Sequence, residues 1–477
     1  MTLQNILIIG YILNFILIFI MIFFDRRDPV VSMSWVLYLV LFPIVGMIVF
    51  FVFGYGLKTR TKKKYVQKMN LNNNIINTFF KKRSDSNIPE EVIKKHINVY
   101  KYLLKTAKSR CSYDNSVEII TDGEEKFKEL LHDIENAKET INMLYFIIHN
   151  DKIGKKILSA LTQKAREGVE VRLLYDGFGS LLTPRKCFRE LAACPNGHVA
   201  EFFPVRLFSF SKLNHRNHRK IAVIDGRIAY LGGMNIGDEY MSRKKLVWRD
   251  THMRITGDAV ADIQRYFALD WEFSTNERLV NRLSTFFPMS EKKNDGSTAI
   301  QIVASGPDSK TDEIESGMIR MLNNAKKYAY IQTPYFVPDK AFLMAVTNAA
   351  ESGVDVRVMI PGTPDKLYVY YTTLSYMGEL LQAGVKVLLY PGFIHAKSIA
   401  VDDEISTIGT TNIDVRSFQL HFELNAFMYD EKICRTCREI FLEDEKKCKV
   451  LTMEAYKKRG IKTICCEGFF RLFSPIM

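Results

Sequence analysis

Two stretches of eighteen residues share one pattern: HRKIAVIDGRIAYLGGMN at 218–235 and HAKSIAVDDEISTIGTTN at 395–412. Each begins with His-x-Lys, has an Asp seven positions after the His, and ends with an Asn seventeen positions after it. Side chains two apart share a face of a strand, so each stretch directs its His and its Lys to the same side. One copy alone would be weak evidence. Two matched copies in one chain predict a duplicated fold with one shared site.

The first stretch predicts a β-hairpin. Asp225-Gly226 is typical of a two-residue turn between strands. With that turn, the numbers of paired residues sum to 451 and Gly233 lies opposite His218. Asn235 then lies just beyond, on the face that carries the histidine.

The second stretch predicts the same arrangement. A turn at Asp402-Asp403 would place Thr410 opposite His395, with Asn412 just beyond it. Each hairpin is therefore predicted to gather one His, one Lys and one Asn on one face, with a small residue over the imidazole.

These side chains suit chemistry on a phosphodiester. A neutral imidazole can be the nucleophile, and a second imidazole can protonate the leaving alcohol. Lysines and asparagines can hold the non-bridging oxygens as charge shifts in the transition state. Because the lysines supply positive charge, no metal is predicted. The candidate catalytic residues are His218, Lys220, Asp225, His395, Lys397 and Asp402. We interpret the two aspartates, which lie near the turns, as supports for the site.

The hairpins belong to a longer internal repeat. KAREGVEVRLLYDG at 164–177 matches NAAESGVDVRVMIPG at 348–362, each reading as a helix end, a glycine turn and a buried strand. Residues 135–151 and 323–339 form another matched pair. Alternating helices and strands predict an α/β fold with one sheet per half. The predicted domains are a membrane hairpin at 1–55, a linker at 56–115, and similar halves at 116–275 and 298–477.

Two apolar runs open the chain. Residues 3–24 and 31–53 are each long enough to cross a hydrocarbon core of about 30 Å as a helix, and only a short polar turn separates them. A cleaved signal peptide would need a basic n-region and a small-residue cleavage site, and neither is present. We predict a two-helix membrane hairpin.

The net charge of +13 is concentrated directly after these runs. Residues 56–110 contain 15 Lys and Arg against 3 acidic residues. The positive-inside rule places this segment, the N-terminus and the body in the cytoplasm. The segment either attracts anionic lipid or only sets the topology. The 8 cysteines, including a lone Cys434-x-x-Cys437 pair, are interpreted as ordinary thiols of a cytoplasmic domain.

The chain resembles the phospholipase D superfamily, and within it the bacterial cardiolipin synthases. The resemblance runs from the apolar N-terminus to the C-terminus. It implies two phospholipase D-like α/β sandwich halves with one shared active site. Its most specific stretches are NHRNHRKIAVIDG (214–226), GGMNIGDEY (232–240), WRDTHMRITG (248–257), TPYFVPD (333–339), IHAKSIAVDD (394–403) and IGTTNIDVRSFQLHFELNAF (408–427).

The resemblance also implies roles for individual residues. His218 would be the nucleophile and His395 the general acid and base. An acidic residue would stand behind each histidine, and the matching positions are Asp250 and Glu423. A carboxylate on Nδ1–H fixes the tautomer and leaves Nε2 free to attack. His421 departs from the family, which usually has Asn there.

The implied function is transfer of a phosphatidyl group from one phosphatidylglycerol to another through a phospho-histidine, with release of glycerol and formation of cardiolipin. Hydrolysis, or transfer to a different alcohol, uses the same chemistry and stays open because the sequence does not specify the acceptor. The membrane segments favour lipid over nucleic acid. The sequence has no glycine-rich phosphate loop of the nucleotide-binding type, so no nucleotide cofactor is predicted. We expect a cell-membrane protein with two spans and a cytoplasmic catalytic domain, and the sequence does not predict its oligomeric state.

Overall fold

The computed structural model of the chain describes residues 3–24, 28–54, 59–80, 89–205, 214–241, 247–288, 296–309 and 311–476. Parts of the predicted membrane hairpin (25–27 and 55), linker (56–58 and 81–88) and join between the halves (289–295) lie outside the described residues.

The first apolar run forms one continuous helix, α1 (Leu3–Phe24). Among the described residues, its segment Leu7–Phe24 is the one helix that is long and apolar enough to cross a membrane. The amide of Asn14 donates to the carbonyl of Leu39, at 3.1 Å. This bond joins α1 to the next helix, α2 (Pro29–Leu41).

The second apolar run, predicted as a membrane span over 31–53, forms two shorter helices, so the second span stays a prediction. A new helix, α3 (Pro43–Val49), starts after Phe42 and is followed by a π-helical turn, Phe50–Gly54. Pro43 has no N–H to donate, and its ring clashes with the carbonyl four residues earlier. A helix as long as α2 spans only about 20 Å, which is less than the hydrocarbon core.

The body is built from strands and helices in alternation. The strands are β1 (Cys111–Ser112), β2 (Asn115–Ile120), β3 (Thr140–Tyr145), β4 (Glu170–Asp176), β5 (Gly197–Phe202), β6 (Lys220–Ile224), β7 (Ile228–Gly232), β8 (Trp248–Arg249), β9 (His252–Gly257), β10 (Ala299–Ser305), β11 (Tyr328–Gln332), β12 (Phe336–Val337), β13 (Asp355–Pro361), β14 (Lys386–Tyr390), β15 (Phe393–Ile394), β16 (Ser398–Val401), β17 (Ile405–Gly409), β18 (Ile413–Asp414), β19 (Glu423–Tyr429) and β20 (Lys449–Leu451).

The helices after the apolar runs are α4 (Thr59–Phe80), α5 (Glu90–Lys94), α6 (Ile97–Thr106), α7 (Gly123–Asn136), α8 (Lys152–Arg166), α9 (Arg189–Ala192), α10 (Ala259–Thr275), α11 (Leu283–Phe286), α12 (Glu313–Asn324), α13 (Lys340–Glu351), α14 (Leu367–Gln382), α15 (Val415–Gln419), α16 (Glu431–Glu445), α17 (Met453–Lys457) and α18 (Ile461–Arg471).

Each half forms one mixed sheet, which confirms the predicted α/β duplication. The first sheet has the order β2-β9-β7-β6-β3-β4-β5, and the second has the order β1-β10-β19-β17-β16-β11-β13-β14-β20. In the first, β3 is parallel to β4 and antiparallel to β6. In the second, β11 is parallel to β13 and antiparallel to β16. Each hairpin therefore lies beside an equivalent parallel pair.

The two sheets share a hydrophobic core. One buried cluster contains residues from both sheets together with α10 and α16. Separate clusters fill the outer faces, with α7 and α8 on the first sheet and α12, α13 and α14 on the second. Two short parallel strands, β8 from the first half and β15 from the second, also pair directly.

The predicted basic linker folds against the body. Tyr65 of α4 is buried and donates through its hydroxyl to Asp270 of α10, at 2.8 Å. Lys68 donates to the carbonyl of Glu272 at the same distance, 2.8 Å. Further along, β1 pairs with β10 of the second sheet, and β2, which begins at Asn115, belongs to the first sheet.

Both His-x-Lys hairpins turn through three residues, so the predicted two-residue register is wrong by one position. Ile224 pairs with Ile228, and Val401 pairs with Ile405. The first two residues of each turn have positive φ, between 51° and 60°. Each turn begins with an aspartate whose carboxylate binds the neighbouring strand, as described below. That contact fixes the left-handed conformation of the aspartate, and the third residue then closes the turn.

Candidate active site

The two histidines lie at equivalent positions in the two sheets, just before strands β6 and β16 begin. The backbone N–H of His218 donates to the carbonyl of Phe422, at 2.9 Å, and that of His395 donates to the carbonyl of Arg249, at 2.7 Å. Each acceptor belongs to the other half of the chain. The residue after each acceptor is a carboxylate, so these backbone bonds set the distance between imidazole and acid.

Each imidazole is hydrogen-bonded to a carboxylate of the opposite half. Nδ1 of His218 lies 2.9 Å from Oε1 of Glu423, and Nδ1 of His395 lies 2.6 Å from Oδ2 of Asp250. Both carboxylates are fully buried. With Nδ1–H donated to the carboxylate, Nε2 carries the lone pair. The sequence indicated both acids, and the structure adds that the pairs are crossed between halves.

The two lysines are buried beside their histidines. Nζ of Lys220 donates to the carbonyl of His218, at 2.6 Å, and Nζ of Lys397 donates to the carbonyl of His395. Burial lowers the pKa of Lys220 well below its usual range and that of Lys397 to about 8. A bound phosphate would bring negative charge beside both lysines and would favour their charged ammonium forms.

Burial also keeps both imidazoles neutral. It lowers the pKa of His218 well below its usual value, and the positive charge of Lys220 lowers it further. It lowers the pKa of His395 to about 4, because the Lys397 charge adds to burial and Asp250 offsets only part of the effect. The charges of Lys397 and His395 both act on His218, so the two halves form one electrostatic unit.

The carboxyl group of Glu423 has a strongly perturbed pKa. Burial raises its pKa to about 8, against the opposing effects of Lys220 and of a hydrogen bond from Thr410. The Thr410 hydroxyl donates to Glu423, and the Glu423 backbone neighbour Leu424 donates to that hydroxyl at 2.9 Å. The sequence suggested Thr410 only as a small residue over His395. The structure gives it a contact with the acid that holds His218.

Aromatic rings surround both imidazoles but differ between them. The ring of Phe146 lies 4.9 Å from that of His218. Those of Trp248 and Phe393 lie 5.1 and 5.9 Å from that of His395. The hydroxyl of Tyr240 lies 3.5 Å from Nδ1 of His395. Trp248 and Tyr240 fall inside family-like stretches, but no pattern in the sequence singled them out.

The two predicted asparagines have different surroundings. Asn235 is engaged on both sides: its Oδ1 accepts from the N–H of Ile147, at 3.2 Å, and its Nδ2 donates to Tyr240, at 3.4 Å. Asn412 is buried, and its Oδ1 has no hydrogen-bond partner among the described residues. Asn412 is therefore the asparagine with unused hydrogen-bonding capacity.

Asp225 and Asp402 lie at the turn ends of the hairpins, away from the imidazoles. Each carboxylate accepts three backbone N–H groups at the start of the neighbouring strand. The donors are Lys138, Glu139 and Thr140 for the first and Lys326, Lys327 and Tyr328 for the second. These bonds support the interpretation that the aspartates hold the scaffold.

One group in the described part of the chain could hold a metal ion. His218, His421 and Glu423 each offer a ligand atom, and these atoms lie within 4.8 Å of one another. Nδ1 of His421 is 3.9 Å from Oε1 of Glu423. A metal there would replace the bond between His218 and Glu423. The expectation of metal-free chemistry stays a prediction.

The fold and site define the class of the protein. The family model described as "Cardiolipin synthase, PLD-like domain" matches residues 130–271 and 318–445, and one described as "Phospholipase_D-nuclease N-terminal" matches residues 12–54. A solved phosphatidylserine synthase of Haemophilus influenzae has the same fold, with a TM-score of 0.62 over 80% of this chain and 100% of that one, at 16% identity. The chain is a two-domain PLD-like protein.

Similarity to curated proteins narrows the class. The chain is 41% identical to a cardiolipin synthase of Listeria innocua, over 100% of this chain and 99% of that protein. It is 42% identical to the major cardiolipin synthase of Bacillus subtilis, over 100% of both. The chain therefore belongs to the cardiolipin synthase family. This confirms the predicted family, fold class and enzyme class, a phosphatidyltransferase.

Proposed function

We propose that the protein joins two phosphatidylglycerol molecules into cardiolipin and glycerol. The observation that carries this proposal is the pair of imidazoles held by crossed carboxylates, with two buried lysines beside them. Such a site can exchange one phosphodiester for another, with acid–base groups on both sides of the phosphorus. The choice of lipid substrate follows from the similarity to the cardiolipin synthases named above.

In the first step, Nε2 of His218 attacks the phosphorus of one phosphatidylglycerol. The bond from phosphorus to the glycerol oxygen breaks, and His395 gives that oxygen a proton. The free His395 imidazole is neutral at pH 7, but the anionic phosphodiester favours its protonated form once bound. Lys220, Lys397 and Asn412 hold the non-bridging oxygens.

In the second step, the hydroxyl of another phosphatidylglycerol attacks the phospho-histidine. His395 now accepts the proton of that hydroxyl, and the bond between phosphorus and His218 breaks. One phosphodiester replaces another, so the exchange is close to balanced in free energy. The rings of Phe146 and Trp248 beside the imidazoles favour the lipid hydroxyl over water.

We also propose that the chain crosses the cell membrane twice and keeps its body in the cytoplasm. Helix α1 supplies one pass, and α2, α3 and the π-helical turn together supply the other. The 15 Lys and Arg of residues 56–110 would hold the start of the body on the cytoplasmic side. A reporter fused after Met477 should be active only if it works in the cytoplasm, and activity of an extracellular reporter would contradict this topology.

The function is tested with purified full-length protein in phosphatidylglycerol vesicles, with excess chelator and no nucleotide. Cardiolipin and glycerol should appear in equal amounts, and added glycerol should drive the reaction backwards. Phosphatidic acid as the main product would make the protein a hydrolase. Dependence on CDP-diacylglycerol, or loss of activity with chelator, would contradict the mechanism.

A further inference from the structure

Two loops at the strand ends that carry the histidines expose large apolar side chains. We define the first rim loop as residues 177–184, directly after β4, and the second as residues 362–368, after β13. In the first, Leu181 and Leu182 are 57% and 87% exposed. In the second, Leu367 is 63% exposed, and Tyr368 is exposed beside it. The strands that precede them occupy equivalent positions in the two sheets.

Each rim loop lies at the strand ends where its sheet carries a histidine. Tyr145, the last residue of β3, pairs with Lys220 on one side and with Tyr175 of β4 on the other. His218 and the first rim loop therefore extend beyond the same ends of these strands. The second sheet repeats this arrangement, since Gln332 at the end of β11 pairs with both Ser398 and Met359.

The exposure of the first rim loop is built into its conformation. Asp176 accepts the N–H groups of Phe178 and Gly179, both at 2.9 Å. Ser180 donates to the carbonyl of Phe146, at 3.1 Å, and the Phe146 ring contacts His218. The loop is thus fixed to the wall of the site, and its two leucines are held in solvent.

The second rim loop is attached to the other histidine in a similar way. Its Asp365 accepts a hydrogen bond from the hydroxyl of Tyr335, at 2.5 Å. The Tyr335 ring lies 6.3 Å from that of Phe393, which in turn contacts His395. A chain of contacts therefore links each rim loop to one imidazole.

The second rim loop is also continuous with the surface that meets the apolar N-terminal helices. Leu367 and Tyr368 begin α14, which stacks on α18 through Tyr371 and Phe470, with ring centroids 6.2 Å apart. Just after α18, the Phe473 ring lies 5.5 Å from that of Tyr38 in α2. The second rim loop is therefore connected to the apolar N-terminal helices through α14 and α18.

We propose that both rim loops insert into the surface of the bilayer, so that the site beside them faces the headgroup layer. Apolar side chains at the tip and cations behind them suit an anionic bilayer. Arg185 and Lys186 follow the first loop, and Lys366 lies in the second; all three are exposed. A lipid phosphodiester then reaches the histidines without leaving the membrane. That the inserted lipid is the substrate rests on the function proposed above; the docking itself does not.

The test compares a bilayer donor with a soluble one, using the full chain. The rim variants are Leu181→Asp with Leu182→Asp, and Leu367→Asp. The matched control is Val450→Asp, an exposed valine on β20, the outermost strand of the second sheet. Phosphatidylglycerol vesicles present the bilayer donor, and short-chain phosphatidylglycerol below its micelle concentration is the soluble one.

Turnover of vesicle lipid should fall by roughly tenfold for each leucine replaced, while turnover of the soluble donor stays within about twofold. Equal losses on both donors, or no loss on vesicles, would overturn the proposal. A second measurement places Trp at 182 and, as its control, at 450, in vesicles of brominated lipid. Stronger quenching at 182 is expected, and equal quenching at both positions would also overturn it. Inactivity of the unmodified protein on both donors would contradict the proposed function, and the quenching would still decide the docking.

Discussion

The two His-x-Lys hairpins are alike in scaffold and different in surroundings. Each begins with a histidine whose backbone is bonded to the other half, and each turns at an aspartate that accepts three amides of the next strand. Around the imidazoles the likeness ends. His218 lies near Phe146, a second histidine and a glutamate that also binds Thr410. His395 lies near Phe393, Trp248, Tyr240 and an aspartate.

This difference separates position from chemical role. The shared scaffold places both imidazoles at equivalent positions, and the unshared neighbours act on their protonation. Burial acts on both, but Asp250 opposes it at His395, whose pKa is about 4, while the pKa of His218 falls well below its usual range. A neutral imidazole suits a nucleophile, and a carboxylate that opposes the effect of burial suits the imidazole that must take up a proton.

The largest expected effect comes from removing each imidazole. His218→Ala and His395→Ala should each lower turnover by on the order of 10⁴-fold or more, because the residues act as a unit. With a p-nitrophenol phosphodiester of the lipid, whose leaving group needs no proton, His395→Ala should still form the covalent adduct and His218→Ala should not. Equal adduct in both variants would remove the division of roles. His132→Asn, an exposed histidine of α7, serves as the control.

Next in size is the loss of each carboxylate. Glu423→Gln and Asp250→Asn should each lower turnover by about a hundredfold, since the imidazole loses its fixed tautomer. Because the pairs are crossed, Glu423→Gln should slow adduct formation from the p-nitrophenol donor, and Asp250→Asn should mainly slow release of the adduct. Rapid-quench measurement of both steps decides the matter. If Asp250→Asn slowed adduct formation and Glu423→Gln slowed release, each carboxylate would be paired with the histidine of its own half.

A smaller effect concerns pH. Lys397 has a pKa of about 8, so its positive charge is present below that pH and is lost as the pH rises through it. The kcat/KM for phosphatidylglycerol should therefore fall above about pH 8, and Lys397→Arg should move that fall to higher pH. Glu423, with a similar pKa, would act in the opposite direction, because its carboxylate forms as the pH rises. A pH profile unchanged in Lys397→Arg would contradict the assignment.

The smallest effect is on stability. Asp225→Ala or Asp402→Ala leaves three backbone N–H groups without their acceptor, which should cost about 2 kcal/mol of unfolding free energy. Thermal unfolding measures the shift, with Glu351→Ala, an exposed carboxylate at the end of α13, as the control. Activity per folded molecule should fall far less than in the histidine variants. A loss as large as theirs would place the aspartates in the chemistry.

Much of this molecule could be predicted from local spacing. The repeat, the α/β class, and the two His-x-Lys hairpins all depend on residues close together in sequence, where strand periodicity and turn chemistry apply. The acids were found through resemblance, but their crossing was not, because it depends on how two sheets meet. The contact of Glu423 with His218 joins residues 205 positions apart, and spacing carries no information at that range.

One error, in the hairpin registers, and the break in the second apolar run have local physical causes. The hairpin registers were off by one because an aspartate in a left-handed conformation binds the neighbouring strand, so the turn needs a third residue. The second apolar run is divided into two helices at Pro43, because proline has no N–H to donate. In the same way, a count of charges described the basic linker but did not reveal that Tyr65 is buried against Asp270.

The crossed hydrogen bonds also set the moment at which the chain becomes an enzyme. During synthesis the first half emerges with His218 but without Glu423, and its Asp250 has no histidine to hold. Neither imidazole has a fixed tautomer until the last strands have joined the second sheet. A truncated or half-folded chain therefore lacks the paired imidazoles that the proposed reaction needs. Two halves made as separate polypeptides should regain activity only on assembly, when each supplies the carboxylate that the other half's histidine needs.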